Sequence, residues 1–580
     1  MSFSPPSAEQ RLAMKVCADI GDLAEQERFA AATPDVISAI TEGIGALASG
    51  VWAPLNRVGD VEGARIANGK VHLPDGFAEA YRAYVDGGWN SIYAPCEHGG
   101  QGLPFSLGVC ILETLASANL ALSLNPMLSV GSIASLHHHG SEEQKAKYLE
   151  KLVSGEWCGT MNLTEPQAGS DVGALRTGAT LITEGPHAGK YRISGTKIFI
   201  TWGEHDLADN IIHLLLARTP DAPAGSRGIS LFIVPKYHVN DDGSLGARND
   251  LQVVSLEEKL GIHASPTCVM SYGDNGQCIG ELVGAENEGL RAMFTMMNDA
   301  RMHVGTQGLA IAERATQAAK AYSRERVQSA RTGAADKAPV AIIEHPDVRR
   351  MIMRMRALTE GARTLLYYAC GQLDRGGLGD DSAQARGDVL VPLVKAWCTD
   401  IGVEVADLGI QVHGGMGFIE ETGAAQYLRD VKITTIYEGT NGIQAADLVG
   451  RKLAMQRGEV IKALFADISA DSDDAPQVQS LSNDCKDLID WMLGDASVDD
   501  RLAGSVPFLT MCAVAVAGWQ LARQARAAKD DPDLGEIAQT KPIVAAYFND
   551  HIAAEARGLK AAVMAGADLL YDLDSEILAG

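Results

Sequence analysis

The stretch TTIYEGTNGIQAADLVGRKL, residues 434–453, sets one carboxylate, Glu438, just ahead of a Gly-Thr-Asn-Gly turn and an amphipathic run. Two chemistries suit such a position. An acid near a helix start is stabilised by the positive end of the helix dipole. A carboxylate that a turn aims into a cleft is instead a general base. On spacing alone both readings stay open. A second stretch, CGTMNLTEPQAGSDVGALRT at 158–177, is rich in glycines and small polar residues, which let backbone N–H groups approach an anion or a planar ring. By composition alone it reads more readily as an ordinary connector. A third, KIFITWGEHDLADN at 197–210, ends an alternating strand at Thr201 and Trp202. The indole could stack on a flat cofactor, but filling core is its commoner use.

Three further features have quieter readings. Adjacent residues on a helix point in different directions, and no acids or cysteines cluster beside them in sequence. His137, His138 and His139 therefore read as a helix end before Gly140 rather than as a metal site. Met293, Met296 and Met297 read as core filling. The acidic run from Asp471 to Asp474 reads as a solvated linker.

The elements that must position these residues follow from periodicity. Up to about residue 155, apolar residues recur at helical spacing, and HGSEEQKAKYLEKLVSGE carries a capping-box pattern with Ser141 as cap and Gln144 at its third position. From about residue 157, short β-rich segments broken by Gly, Asn, Asp and Pro predict a compact β domain. Helical periodicity then returns in four long segments with short connections, the last one following Glu438, which predicts a bundle. The fold class is α+β and mainly α: a helical N-terminal domain (1–157), a central β-barrel-like domain (158–284), a four-helix bundle (285–455) and an additional C-terminal helical domain (456–580).

Composition excludes several classes. At 580 residues the chain needs two to four cores, and 46% hydrophobic with 21% charged residues is a folded, globular composition. A formal charge of -25 disfavours nucleic acid or anionic membranes as partners, though a local basic pocket can still take an anion. The ten cysteines form no CxxC pair, consistent with reduced thiols in a cytoplasmic protein. The first residues lack a basic region followed by an apolar run, and no uninterrupted apolar run reaches membrane-spanning length, so neither a signal peptide nor a membrane span is expected.

Five motifs together resemble the acyl-CoA dehydrogenase family in order and spacing: GSEEQKAKYL, LTEPQAGSDVGALRT, GTKIFIT, QVHGGMGF (Gln411 to Phe418) and YLRDVKITTIYEGTNGIQ. The resemblance spans roughly residues 50–455 and extends to a longer bacterial branch with an added C-terminal helical domain, which includes 3-methylmercaptopropionyl-CoA dehydrogenases. It implies FAD held between the β domain and the bundle, partly by a neighbouring subunit. Met161, Leu163 and Thr164 would lie along the flavin, with Ser170 near the acyl-CoA and the ribityl-phosphate side. Thr201 would hydrogen-bond near flavin N5, with Ile200 and Trp202 beside it. Arg326, in SRERVQSA, matches an arginine that binds the FAD phosphates across a dimer, although Ser329 and Ala330 replace the family's Phe-Gly. Gln411, Gly414 and Gly415 match a dinucleotide contact, and Thr440 would reach the FAD. Asn298 and Arg301 match an Asp-x-x-Arg pair that touches CoA, with Asn in place of Asp.

The chemistry implied is α,β-dehydrogenation of an acyl-CoA to a 2,3-enoyl-CoA. Glu438 would remove the α proton, the β hydride would go to the flavin, and backbone N–H at the Glu438–Gly439 turn would hold the thioester carbonyl. Electrons would pass to electron-transferring flavoprotein, and the assembly would be a homodimer. Short or medium acyl groups fit, including 3-methylmercaptopropionyl. Alternatives on the same scaffold are an acyl-CoA oxidase, a DNA-associated alkylation-response flavoprotein and an inactive flavin-binding paralogue. The DNA reading needs a basic extension, whereas residues 456–580 hold about two acids for each base.

Overall fold

The computed structural model describes residues 3–529, 531 and 534–580. It divides into two compact units: a sheet unit of Ala46–Leu103 and Ala118–Ala300, and a helical unit of Met1–Gly45, Pro104–Ser117 and Arg301–Gly580.

The sheet unit is organised by alternation. From Tyr191 to Lys197 alternate side chains turn inward; the alternation then shifts at Phe199, at φ 58°, so that Ile200 joins Ile193 in the core with Phe232, Val234 and Met270. The eight-stranded sheet runs in the order Leu251–Leu256, Thr267–Tyr272, Tyr191–Thr201, Ile279–Val283, Ser230–Pro235, Asn210–Ala217, Trp157–Asn162, with Gly178–Leu181 also paired to Tyr191–Thr201. The sheet also turns back on itself, since Gly178–Leu181 pairs with Tyr191–Thr201 on one side and bridges Arg218 at the end of Asn210–Ala217 on the other, with Ala179 N–H donating to Arg218 O at 2.8 Å, as the β-barrel-like expectation requires. Trp157–Asn162 pairs in parallel with Asn210–Ala217, while the rest of the sheet is antiparallel. The parallel strand is buried along its whole length and lies under helix Leu120–His139. Gly159 makes that approach possible, since a Cβ there would come within 2.2 Å of Ser132 Oγ. The expected capping box is present, with Gln144 N–H donating to Ser141 Oγ at 3.2 Å and Ser141 N–H to Gln144 Oε1 at 3.0 Å. The helical N-terminal stretch also contains a hairpin that helical periodicity does not predict. Asn68 and Gly69, at φ 52° and 72°, turn it between Arg65–Ala67 and Lys70–His72, and Asn-Gly is the residue pair such a turn favours.

In the helical unit three long helices appear as expected: Gly289–Glu325, which enters this unit at Arg301, then Pro346–Gly377 and Asp381–His413. The fourth does not. The helix after Glu438 is short, Asn441–Asp447, and runs on as a π-helical segment to Lys452. Ser505–Lys529 from the C-terminal extension also packs against Pro346–Gly377, where Thr364 Oγ1 donates to Ala517 O at 3.1 Å and Tyr368 meets Trp519 edge-on. That helix is long and apolar enough to cross a membrane, yet 83% of its apolar window is buried within the protein. The acidic run is also more than a solvated linker: Asp471 accepts from Trp519 Nε1 at 2.8 Å and from Arg526, and Asp474 accepts from Arg526 at 2.8 Å.

Helices Gly289–Glu325 and Asp381–His413 meet through two glycines. A Cβ on Gly308 would fall 2.3 Å from Cys398 O, and one on Gly402 would fall 2.7 Å from Gly308 O. Any side chain must therefore push the helices apart. Gly308→Ala is expected to lower the unfolding free energy by about 1–3 kcal/mol, read as a lower urea midpoint. Gly21→Ala, with nothing near its would-be Cβ, serves as the neutral control.

Candidate functional site

The chain reaches Glu438 through helix Ala424–Val431 and a tight turn at Lys432–Thr435. Glu438 and Gly439 then take φ 55° and 86° in succession. A left-handed non-glycine residue costs about 1–2 kcal/mol, so the surroundings must hold it there. They do so from both sides. The Glu438 carbonyl accepts from Arg301 Nε and from Gln444 Nε2, each at 3.4 Å. Tyr437 Oη donates to Gln307 Oε1. Thr440 is the helix cap, its Oγ1 accepting from Ile443 N–H at 3.2 Å. The capping role therefore belongs to Thr440, and Glu438 lies outside the helix whose start it could have stabilised.

The Glu438 side chain is half-buried, and among the described residues its carboxylate makes no hydrogen bond or ion pair. Burial raises its pKa above the usual carboxylate range, while the facing charges of Arg301 and Lys395 pull it back. Arg301 is itself buried, at 9% exposure, which lowers its pKa against the support of Glu438 and Asp447. A carboxylate free of direct partners, raised by burial and steadied by two cations, has the properties of a general base. Lys395 carries no signal in the sequence beyond being a lysine in an apolar helix. It donates to Asn441 Oδ1 at 2.8 Å.

Elsewhere in the helical unit the matched residues lie at open surface. Arg326 is exposed just beyond the end of its helix and donates to Gln328 Oε1 at 2.8 Å. Ser329, where the family motif departs, takes φ 58°. Gln411 is exposed at the end of helix Asp381–His413, and Gly414 stops that helix at φ 60°. A Cβ at Gly414 or Gly415 would meet nothing within 4 Å, so this turn presents bare backbone to a ligand.

In the sheet unit Leu163, Thr164 and Thr201 are half-buried, Ser170 and Asn298 are exposed, and Met161 is 8% exposed. Ile200 and Trp202 are placed differently from the expectation that they lie beside a flavin. Ile200 is 2% exposed and Trp202 is fully buried, its Nε1 donating to Ala121 O at 3.3 Å and its ring edge-on to His205. Trp202 fills core, and no face of its ring is open to a ligand. The period of two does not give this answer: carried on from Tyr191, Ile193 and Lys197 it would turn Phe199 and Thr201 inward, but the strand shifts at Phe199, at φ 58°, and buries Ile200 and Trp202 instead. Phe199 is 58% exposed.

The loop at 163–177 is organised by a residue that no sequence pattern singles out. Glu165 is buried and bonds Lys197 Nζ at 2.8 Å, Arg176 N–H at 2.7 Å and Thr177 N–H at 3.0 Å. Burial opposes its charge, but Lys197 and the backbone donors win and bring its pKa to about 2. Lys197 is pulled down to about 8 by burial despite Glu165.

His137 and His139 do point to different partners: His139 Nε2 bonds Thr295 Oγ1 at 2.7 Å, while His137 Nδ1 faces Glu97 at 3.7 Å. Tertiary folding brings in what the sequence lacks, as Glu97, His98 and His137 place one ligand atom each within 4.8 Å of one another. Met293 and Met296 are fully buried, and Met297 partly so.

Glu165→Ala strands a buried Lys197 ammonium and is expected to cost about 3–5 kcal/mol of stability by chemical denaturation. The double variant Glu165→Ala, Lys197→Met should recover part of that loss.

With this geometry in place, comparison with known proteins is direct. The acyl-CoA dehydrogenase N-terminal domain model matches residues 64–156, the middle domain model 160–274 and the C-terminal domain model 287–453. A model described as acetyl-CoA dehydrogenase C-terminal like matches 460–574. A 3-methylmercaptopropionyl-CoA dehydrogenase of Ruegeria pomeroyi is 48% identical over 541 residues, covering 90% of this chain and 91% of its own. Two solved structures share the fold at 20% identity. ACDH-11 of Caenorhabditis elegans in complex with C11-CoA has a TM-score of 0.76, covering 94% of this chain and 91% of that one. An acyl-CoA dehydrogenase of Bacillus anthracis complexed with FAD has a TM-score of 0.69, covering 100% and 91%. The chain belongs to the acyl-CoA dehydrogenase family, and its reaction is the FAD-dependent dehydrogenation of an acyl-CoA thioester.

Proposed function

We propose that Glu438 is the general base of this reaction and that the substrate is 3-methylmercaptopropionyl-CoA or another short- or medium-chain acyl-CoA. The observation that carries the first part is the Glu438 carboxylate itself: partly open, unpaired among the described residues, raised by burial and faced by Arg301 and Lys395. The second part is supported by the 48% identity to the Ruegeria pomeroyi enzyme over nine-tenths of the chain.

FAD, when bound, supplies the acceptor for the β hydride. The residues present suit such a group: Gly414 and Gly415 offer open backbone at a helix end, Arg326 offers an exposed cation for a phosphate, and Thr164, Ser170 and Thr201 offer accessible hydroxyls. Met161, Leu163, Gln411 and Thr440 complete the proposed contacts, with Ile200 and Trp202 contributing through the strand end they anchor rather than through their side chains. At the thioester, the backbone N–H of Glu438 has no protein acceptor among the described residues, which leaves it free for the carbonyl whose negative charge grows as the proton leaves. Gly439, Asn298 and Arg301 are proposed to face the acyl-CoA. Transfer of the electrons to electron-transferring flavoprotein, a homodimeric assembly and a cytoplasmic setting complete the proposal.

Anaerobic bleaching of the flavin by a panel of acyl-CoA thioesters tests it. The 3-methylmercaptopropionyl and butyryl thioesters should bleach the wild type rapidly, and Glu438→Gln should slow bleaching by about 10²–10⁴-fold, the range for loss of a positioned base. A variant that bleaches as fast as wild type removes Glu438 from the role. A panel in which only long-chain thioesters react removes the substrate assignment.

A further inference from the structure

A lysine with no exposed surface sits opposite the proposed base. Lys395 lies midway along helix Asp381–His413 and is 0% exposed. Burying an ammonium is costly unless it is paired, and the usual remedy is a carboxylate in direct contact. Lys395 does not have one: among the described residues no carboxylate oxygen lies within ion-pair distance of Nζ, and its hydrogen bond goes to the neutral Asn441 Oδ1 at 2.8 Å. The same amide donates to Asp400 Oδ1 at 2.8 Å and to Ala396 O at 3.1 Å. Asn441 opens the helix that follows the Glu438–Gly439 turn, so this network ties the turn to the long helix that carries Lys395.

We propose that Lys395 is a positioning residue for Glu438: seated on Asn441, it fixes the turn that carries the carboxylate and faces that carboxylate with a buried positive charge without closing an ion pair on it. The inference rests on Glu438 being the base. The distinction between facing and pairing matters chemically. A direct ion pair would occupy the carboxylate oxygens and make them poor proton acceptors. A cation engaged by the Asn441 amide rather than by the carboxylate favours the ionised form electrostatically and leaves the oxygens open to the substrate's α proton.

The charges around the pair are consistent with this division. Facing Lys395 are Glu438 and Asp400, which support its charge, and Arg301, which opposes it. Burial outweighs them and brings its pKa down to about 8. Facing Glu438 are Arg301 and Lys395. Arg301 is in turn flanked by Asp447 and Arg451, and Asp400 by Lys432. At neutral pH Lys395 is therefore mainly charged. Its loss would leave burial to act on Glu438 with Arg301 as the sole remaining opponent among the named groups, so the Glu438 pKa would rise. The ionised fraction of the base would then fall at low pH and recover at high pH.

The test uses flavin-loaded wild type, Lys395→Met, Lys395→Gln and Glu438→Gln, with the anaerobic bleaching rate at saturating thioester measured from pH 5.5 to about 9.5, a span that brackets ordinary carboxylate and perturbed lysine titrations. Lys395→Met should move the acid limb of the profile to higher pH by about one pH unit or more. Bleaching on that limb then slows about tenfold for each pH unit the limb moves, and approaches wild type on the alkaline side with little change in KM. Lys395→Gln, which keeps a hydrogen-bonding partner for Asn441 but not the charge, should displace the limb in the same way and carries the test if the methionine variant fails to load flavin. An acid limb that stays in place, or a rate lowered equally at every pH, overturns the inference. If Glu438→Gln bleaches normally, the base assignment itself falls. If it is inactive while both Lys395 variants keep the wild-type limb, only the role of Lys395 falls.

Discussion

A carboxylate that has to work as a base inside a helical protein is caught between two demands. It must be sheltered enough to be a stronger base than a carboxylate in water, yet it must remain ionised. Glu438, the proposed base, meets both because Arg301 and Lys395 bring charge to it from two long helices, Gly289–Glu325 and Asp381–His413. Coulomb energies change steeply with distance in such a setting, so the helices have to be held at a fixed separation. Gly308 and Gly402 set that separation by letting backbone meet backbone. The left-handed turn at Glu438 and Gly439, the cap at Thr440 and the Asn441 amide then place the carboxylate within that frame.

The sheet unit solves a related problem with another buried pair. The loop at 163–177, with Gly169 and Gly173 among small polar residues, has little apolar surface to order it, and glycine loses the most conformational freedom on ordering. Glu165 supplies the missing order by gathering Lys197 and two backbone N–H groups, which leaves Thr164 and Ser170 accessible on a fixed segment. In the neighbouring strand a shift at Phe199 buries Ile200 and Trp202 and leaves Thr201 half-buried. Both units thus use buried charge to hold a short irregular segment, and in both the irregular segment carries the accessible polar groups.

Much of this is legible in the chain alone, and the legible parts share a physical basis. The capping box at Ser141, the strand at Tyr191–Thr201 and the cap at Thr440 each depend on residues a few positions apart, and local hydrogen-bonding chemistry decides them. The elements that periodicity misplaces depend on distant partners. It makes the helix after Glu438 long, whereas that helix stops at Asp447, and it places a helix at Ser505–Lys529 without showing that it packs on Pro346–Gly377, because an apolar helix packs against whichever apolar face is free and not the one nearest in sequence. Asp471 reads as solvated until folding brings Trp519 and Arg526 to it. His137 reads as unsupported until Glu97 and His98 meet it.

The sequence by itself determined the family and the chemistry that family performs, and it singled out the carboxylate proposed as the base, because several motifs kept their order and spacing and because turn and cap residues act locally. Whether that carboxylate would be free or paired was decided only by the tertiary structure. Sequence distance says nothing about which cations are folded next to a buried acid, and the 43 residues that separate Lys395 from Glu438 vanish when Asn441 is laid against the long helix.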